Sequence, residues 1–561
     1  MKRGERLAAA AAAVAALLPF RPAANAGFLA WDDRSNLVNN SAYAGFSRAS
    51  LTWDWTTHFR GPWQPLSWLS HAVDRALWGL DAPAFRRTNF LLHALGAALC
   101  VLVARRLIDA ALGARIPERA RNLGALASGL FFALHPLRVE SVVWITERRD
   151  VLSGVFFLGA WLAYLEESFV LAPFLFAAAL LSKGTAVALP FFLLACEYYP
   201  LRRLQDRPRC VALRLAPYFI LALAAGAANL GGFGTGDLTV PTVGLGLRLA
   251  IAAHAPGFYL AKIFFPFYLS PYYPLVVPPS RLFPTFAAYG ALGLSVTAAA
   301  WSSRRRSPWA WAAWLAFLAA LAPVCGVIPN GAQLAADRYT YLAALPFAFV
   351  LGGLCAVAAA KSPRASAVVV AALACALAAL SAAQSAFWRD DAALWTRAVA
   401  LAPDGYLPRS NLASALLASG EEDGALEQYR VVLRLHPDDF GAQVNTGFLL
   451  QKRGRLDDAE AALRAALSLR PGAPDATVNL ANVLSARGDR AGALALLNEL
   501  ATREPSFAPG RFNRGLLLIA LGRRAEGEAE LRAAVALDPS LVARPPGNGS
   551  NHGGVETQRT E

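Results

Sequence analysis

Five prolines, Pro403, Pro437, Pro471, Pro505 and Pro539, stand 34 residues apart in the last third of this chain. A fixed period of this length means stacked copies of one structural unit. Asn411, Asn445, Asn479 and Asn513 keep the same spacing, and so do Gly420, Gly454, Gly488 and Gly522. Each unit reads as a pair of helices with a glycine turn between them. A lone pair leaves a hydrophobic face that only its neighbour covers, so four units must stack into a solenoid whose concave side suits extended peptides or partner helices.

The remainder has a different solvent. Of 561 residues, 56% are hydrophobic and only 16% charged, a balance too apolar for an ordinary soluble enzyme. The net charge of +14 does not indicate nucleic acid. The basic residues sit in short clusters between apolar runs, at 105–121, 201–210, 302–307 and 361–366, as positive-inside topology requires. The six cysteines lie in or beside hydrophobic segments without metal-ligand spacing. They read as apolar filler, with no metal site and no disulfide framework.

Apolar runs centre near 90–106, 123–135, 151–165, 169–182, 184–198, 211–230, 284–301, 308–328, 340–360 and 367–388. With a retained N-terminal helix they give about eleven spans. The start has the features of a secretory signal, "ANA" before Gly27 included, but cleavage there would strip the anchor from the segment "GFLAWDD". With the Arg-rich connectors cytoplasmic, the loops at 31–87, 136–149 and 329–339 fall outside, and the repeats fall on that same side. Parity makes 244–274 an interfacial or re-entrant element. The expected domains are a membrane body at 1–388, repeats at 389–541 with a partial leading one, and a disordered polar tail at 542–561.

Polar islands gather on the outer face. Asp32 and Asp33 follow the first apolar segment directly, where partial desolvation raises a carboxylate's proton affinity toward that of a general base. The stretch 135–154 packs His135, Arg138, Glu140, Glu147, Arg148, Arg149 and Asp150 between two spans. Ions there need partners or a water-filled cavity; the alternatives are a phosphate clamp and a salt-bridged external turn. His135, before Pro136, reads as a helix-ending hydrogen-bonder. Lys183 lies between two apolar runs, and Asp337 with Arg338 forms a third island. The loop from Trp53 to His93 is crowded with aromatic residues that suit an interface belt or stacking on sugar rings.

The ordered set "GFLAWDD", "WQPLSWLSH", "LWGL", "NFLLHAL", "HPLRVESVVWITERRDVLSGVFF", "LLSKGTAVALPF", "YLAKIFFPFYLSPYYP" and "ADRYTYLAALPF", followed by tetratricopeptide repeats, resembles the transmembrane-and-tetratricopeptide (TMTC) protein O-mannosyltransferases and their bacterial relatives over residues 27–541. The resemblance implies an all-α, GT-C-type membrane bundle ahead of a tetratricopeptide α-solenoid. It implies an inverting glycosyltransferase that moves a hexose such as mannose from a polyprenyl-phosphate donor to a Ser/Thr hydroxyl. On it, Asp33 is the catalytic base and Asp32 its partner. Arg148, Lys183 and Arg338 bind the donor phosphate, and His135, Glu140 and Asp150 support them. The lipid-linked sugar is a co-substrate, with no cofactor or metal, and the repeats hold a protein acceptor at the periplasmic face of a bacterial inner membrane. Gly184, Gln64 and the pair Arg86–Arg87 depart from the usual pattern, which bears on donor and acceptor choice. A non-catalytic membrane scaffold for envelope assembly is the alternative. A transporter fits less well, because its ionisable groups belong at the bilayer midplane.

Overall fold

The computed structural model describes residues 2–230, 244–275, 279–327 and 333–543. The tail expected to be disordered lies, from residue 544 on, outside them. Two compact units divide at Leu401 and Ala402. The helix Asp391–Leu401, which the period assigns to a leading half-repeat, belongs to the first unit.

The first unit is built of helices plus one small antiparallel pairing of Tyr273–Pro274 with Gln333–Ala335. Among the described residues, four helices are long and apolar enough to cross a membrane, 82–115, 208–229, 283–302 and 363–388. The number rises to six if two bent pairs, 118–143 and 337–361, each count as one span. The expected count of about eleven is therefore not confirmed among the described residues. The physical reason is that polar residues break several apolar runs. Lys183 separates the helices Leu171–Ser182 and Leu189–Tyr198, and at 1.5 Å per residue neither approaches the ~30 Å of a hydrocarbon core. The N-terminal helix Arg3–Ala15 is similarly short. Residues 245–264 form one helix with Pro256 inside it, packed on the helix Pro279–Ser302.

Small residues set the closest crossings. Gly124 lies against the Gly352 carbonyl, and Gly257 against the backbone of Tyr289, with no room for a Cβ at either. Without a hydrophobic force between helices in lipid, such close backbone approach is what holds them together.

The second unit carries four helix pairs: Tyr406–Ala418 with Glu422–Leu435, Phe440–Lys452 with Leu456–Leu469, Pro474–Ala486 with Arg490–Arg503, and Ala508–Ala520 with Arg524–Leu537. Each periodic glycine sits in the turn inside a pair, with φ of 86°, 71°, 95° and 81° at Gly420, Gly454, Gly488 and Gly522, a conformation costly for residues with a Cβ. Each periodic proline stands two residues beyond a second helix, where it cannot continue it. Tyr429 ties two pairs together: Asn445 Nδ2 donates to its hydroxyl at 2.9 Å, and the same hydroxyl shares a 3.0 Å hydrogen bond with the Ser414 hydroxyl.

Candidate active site

The stretch between His135 and Asp150 is not a solvated turn. It folds as three short helical turns, Pro136–Arg138, Val139–Val143 and Ile145–Glu147, ahead of the helix Arg148–Leu165, and its charged side chains are buried except for the half-buried Arg149. Each must find a partner, since an uncompensated buried ion is strongly destabilising. Thr146, Glu147 and Arg148 reach partners in separate parts of the unit, while Arg149 pairs with Glu147 itself.

Thr146 anchors the acidic pair. Its N–H and hydroxyl donate to Asp33 Oδ1 at 3.0 and 2.7 Å, and the Leu29 N–H donates to Asp33 Oδ2 at 3.1 Å. Burial pushes the Asp33 carboxyl up to about 6, against the Thr146 hydroxyl, Arg86 and the two N–H groups. Arg86 is itself buried and donates to the carbonyls of Val143 at 2.9 Å, Gly27 at 3.0 Å and Ala26, which stitches the loop before Asp32 to the turn before Thr146.

Glu147 is the hub of the cations. Lys183 Nζ lies 2.9 Å from its Oε2, Arg338 Nε lies 3.3 Å from its Oε1, and Arg149 pairs with it as well. Burial pushes the Glu147 carboxyl up, but Arg149, Lys183 and Arg338 together hold it well below the usual carboxylate range. Lys183 also reaches Asp150 Oδ1 at 2.7 Å, and Asp150 Oδ2 accepts from Ser141 Oγ at 2.9 Å. Glu140 pairs with the Arg338 guanidinium and accepts from its backbone N–H at 2.9 Å. The local pairing of Arg338 with Asp337 that the sequence allows is replaced by these contacts, while Asp337 Oδ1 accepts from the Tyr273 hydroxyl at 2.8 Å.

The structure thus brings Lys183 and Arg338 together, with Glu140 and Asp150 around them. It does not bring Arg148 to them. The buried Arg148 guanidinium donates to Asp74 Oδ2 and to the Phe85 carbonyl, each at 2.6 Å, and Nε donates to Asn89. Arg149 is the arginine that shares Glu147. His135 ends one helix and opens the next turn, its Nε2 2.9 Å from the Ile263 carbonyl and its Nδ1 accepting from the Leu137 N–H at 3.2 Å. Asp74, Asn89 and Thr146 are contributors that sequence reasoning passed over, and of the two adjacent arginines it settled on Arg148 where the structure brings Arg149 to Glu147. The signal was the number of ions at 140–150, which exceeds what that stretch alone can pair.

An aromatic wall stands beside the acidic pair. Trp31 stacks on Trp144 with centroids 4.6 Å apart and meets Trp395 at 5.1 Å and Tyr272 at 6.4 Å. The Arg338 guanidinium lies 5.4 Å from the Trp144 ring centroid, so one ring touches both the segment bearing Asp32 and a cation of the Glu147 cluster. Carboxylates able to take a proton and cations able to meet an anion are therefore joined through Thr146 and Glu147, whose Cα atoms are about 3.8 Å apart.

Tetratricopeptide repeat family profiles match residues 450–509 and 508–541. Among curated proteins, the chain is 33% identical over 177 residues to protein O-mannosyl-transferase Tmtc1 of Drosophila melanogaster, covering 29% of this chain and 19% of that protein. It is 32% identical over 151 residues to the same organism's Tmtc2, covering 25% and 15%, and 26% identical over 102 residues to human TMTC3, covering 18% and 10%. The matched segment thus spans less than a fifth of each relative. Among solved structures, a thermophilic TPR protein of Thermus thermophilus is 22% identical with a TM-score of 0.25, over 31% of this chain and 91% of that one. The chain thus combines a membrane-type helical unit with tetratricopeptide repeats and is similar, over these segments, to the TMTC protein O-mannosyl-transferases.

Proposed function

We propose that the chain is a membrane glycosyltransferase that moves a sugar, mannose or a similar hexose, from a polyprenyl-phosphate donor to a Ser or Thr hydroxyl of a protein. The observation that carries the reading is the convergence of Lys183, Arg338 and Arg149 on one buried carboxylate, Glu147, next in the chain to the residue that holds Asp33. Lys183, Arg338 and Arg149 together supply the positive charge that a donor phosphate calls for.

In this reading a carboxylate of the acidic pair takes the proton from the acceptor hydroxyl while its oxygen attacks the sugar C1 from the face opposite the phosphate. The C1–O bond to phosphate breaks as the new C1–O bond forms, with inversion, and the electron pair leaves on the lipid phosphate. Lys183 and Arg338 stabilise that developing charge. Asp33 is fully buried with three hydrogen bonds already accepted, which suits an anchor. The roles expected from sequence are accordingly exchanged: Asp32 is the base and Asp33 positions it. Arg149 takes the phosphate-facing place expected of Arg148, and Arg148 braces the site through Asp74. The step needs neither metal nor nucleotide, because lipid phosphate is the leaving group. In the same reading the membrane is a bacterial inner membrane, and the repeats lie in the periplasm and recruit the acceptor.

The test is purified full-length protein in detergent with a polyprenyl-phosphate mannose and a Ser/Thr-rich peptide, read by mass spectrometry. A peptide gaining one hexose, lost in Asp32→Asn, is the expected result. Neither transfer nor donor hydrolysis would leave the scaffold reading in its place.

A further inference from the structure

The period assigns the helix Asp391–Leu401 to the repeats, yet its side chains are committed elsewhere. Asp391 Oδ1 accepts a 2.8 Å hydrogen bond from the N–H of Ala30, two residues before Asp32. Trp395, 2% exposed, packs on Trp31 at 5.1 Å, and Trp388, 1% exposed, lies 6.5 Å from Trp31 and 6.0 Å from Trp144. Arg397 Nε donates to the Leu269 carbonyl at 3.2 Å. Every one of these contacts is with the membrane-type unit.

The wall has a mechanical reading. Trp31 precedes Asp32 directly, so the orientation of its ring constrains the backbone that carries the carboxylate. That ring is held between Trp144, which the Arg338 guanidinium overlies, and Trp395. Asp391 fixes the same backbone by a charge-assisted hydrogen bond, stronger than a neutral one. A catalytic carboxylate needs placement to a fraction of an ångström, and an error of about 1 Å costs on the order of 10²-fold in rate.

We propose that residues 386–401 are a positioning element of the active site, in which Asp391 and Trp395 fix Trp31, and with it Asp32, against Trp144 and Arg338. The proposal rests on the transferase reading for its kinetic consequence. Its structural core is separate: the segment between the last long helix and the first full repeat packs as part of the first unit, against the backbone before Asp32, and is not part of the solenoid.

Four full-length variants test it, Asp391→Ala, Asp391→Asn, Trp395→Ala and Trp395→Phe, assayed with polyprenyl-phosphate mannose and a short Ser/Thr peptide. The two alanine variants are expected to lower kcat about tenfold or more while donor KM stays within about twofold, the pattern of a lost transition-state geometry. Asp391→Asn keeps an oxygen to accept from Ala30, and Trp395→Phe keeps a ring, so both are expected to retain most of the rate. Hydrogen exchange at the Ala30 and Trp31 amides is measured in parallel and is expected to accelerate only in the alanine variants. Trp395→Leu, which keeps apolar volume without the ring, serves if Trp395→Ala does not fold. Unchanged kcat and unchanged exchange in the alanine variants overturn the proposal, as does a rise in donor KM with kcat intact, which would mean direct substrate contact. If the unsubstituted chain transfers no sugar, the transferase reading falls, while the exchange measurement still decides the positioning role.

Discussion

Thr146 gives both its backbone N–H and its hydroxyl to a single oxygen of Asp33, at 3.0 and 2.7 Å. Two elements more than a hundred residues apart are thereby clamped at the point where the acidic pair meets the cation cluster. Thr146→Val keeps the shape and the N–H but removes the hydroxyl. It should cost about 1–3 kcal/mol of stability, as for a buried hydrogen bond to a charged group, with Thr146→Ser restoring most of it. Denaturation in detergent, followed by tryptophan fluorescence, measures both.

Arg148 and Lys183 should respond differently to substitution. Arg148→Met strands Asp74 as an unpaired buried carboxylate and should destabilise the chain by about 3–5 kcal/mol. The double variant Arg148→Met with Asp74→Leu should recover a large part of that loss. Lys183→Met should instead raise donor KM about tenfold or more, equivalent to about 1.4 kcal/mol or more of binding. Equal effects of Lys183→Met and Arg148→Met on donor KM would contradict the division of roles.

Asp54, on the helix Arg48–Thr56, is fully buried, and neither carboxylate oxygen has a hydrogen-bond partner among the described residues. Burial pushes its carboxyl up to about 7. The folded chain therefore holds this proton to a higher pH than the unfolded chain, so the group's contribution to stability falls as pH rises from about 4 to about 7. Asp54→Asn cannot ionise. Its melting temperature relative to the unsubstituted chain should rise over that window and level off above it. A difference independent of pH between about 4.5 and 8 would show that Asp54 does not titrate there.

The sidedness of the repeats is tested in cells. Protease added outside spheroplasts should digest residues beyond Ala402 while the inner membrane is intact. Digestion only after that membrane is opened would place the repeats in the cytoplasm and end the acceptor-recruitment role.

The repeats were legible because local rules and tertiary packing agree there: the same residues mark the turn at Gly454 and the stop at Pro437 in every unit. The concentration of ions at 140–150 was equally visible. Which ion meets which was not, because Arg148 and Arg149 are adjacent in sequence and identical in chemistry, and only the helix beginning at Arg148 sends them to opposite neighbours. The span count exceeds the long apolar helices because runs on either side of Lys183 were each counted as a crossing, whereas the helices they form are only 12 and 10 residues long. Asp391 was hidden by the period itself. A helix that fits a repeat template gives no hint that its side chains are bonded to Ala30.

Because each proline lies two residues past a second helix and each glycine inside a pair, the boundaries of a unit carry their own punctuation. Genetic duplication or loss of 34 residues would rejoin stop to start in frame and regenerate an ordinary interface between neighbours, whereas an insertion of any other length would put a side chain where the chain must reverse. The number of helix pairs in the second unit can therefore change in whole steps of one unit, with the first unit left as it is.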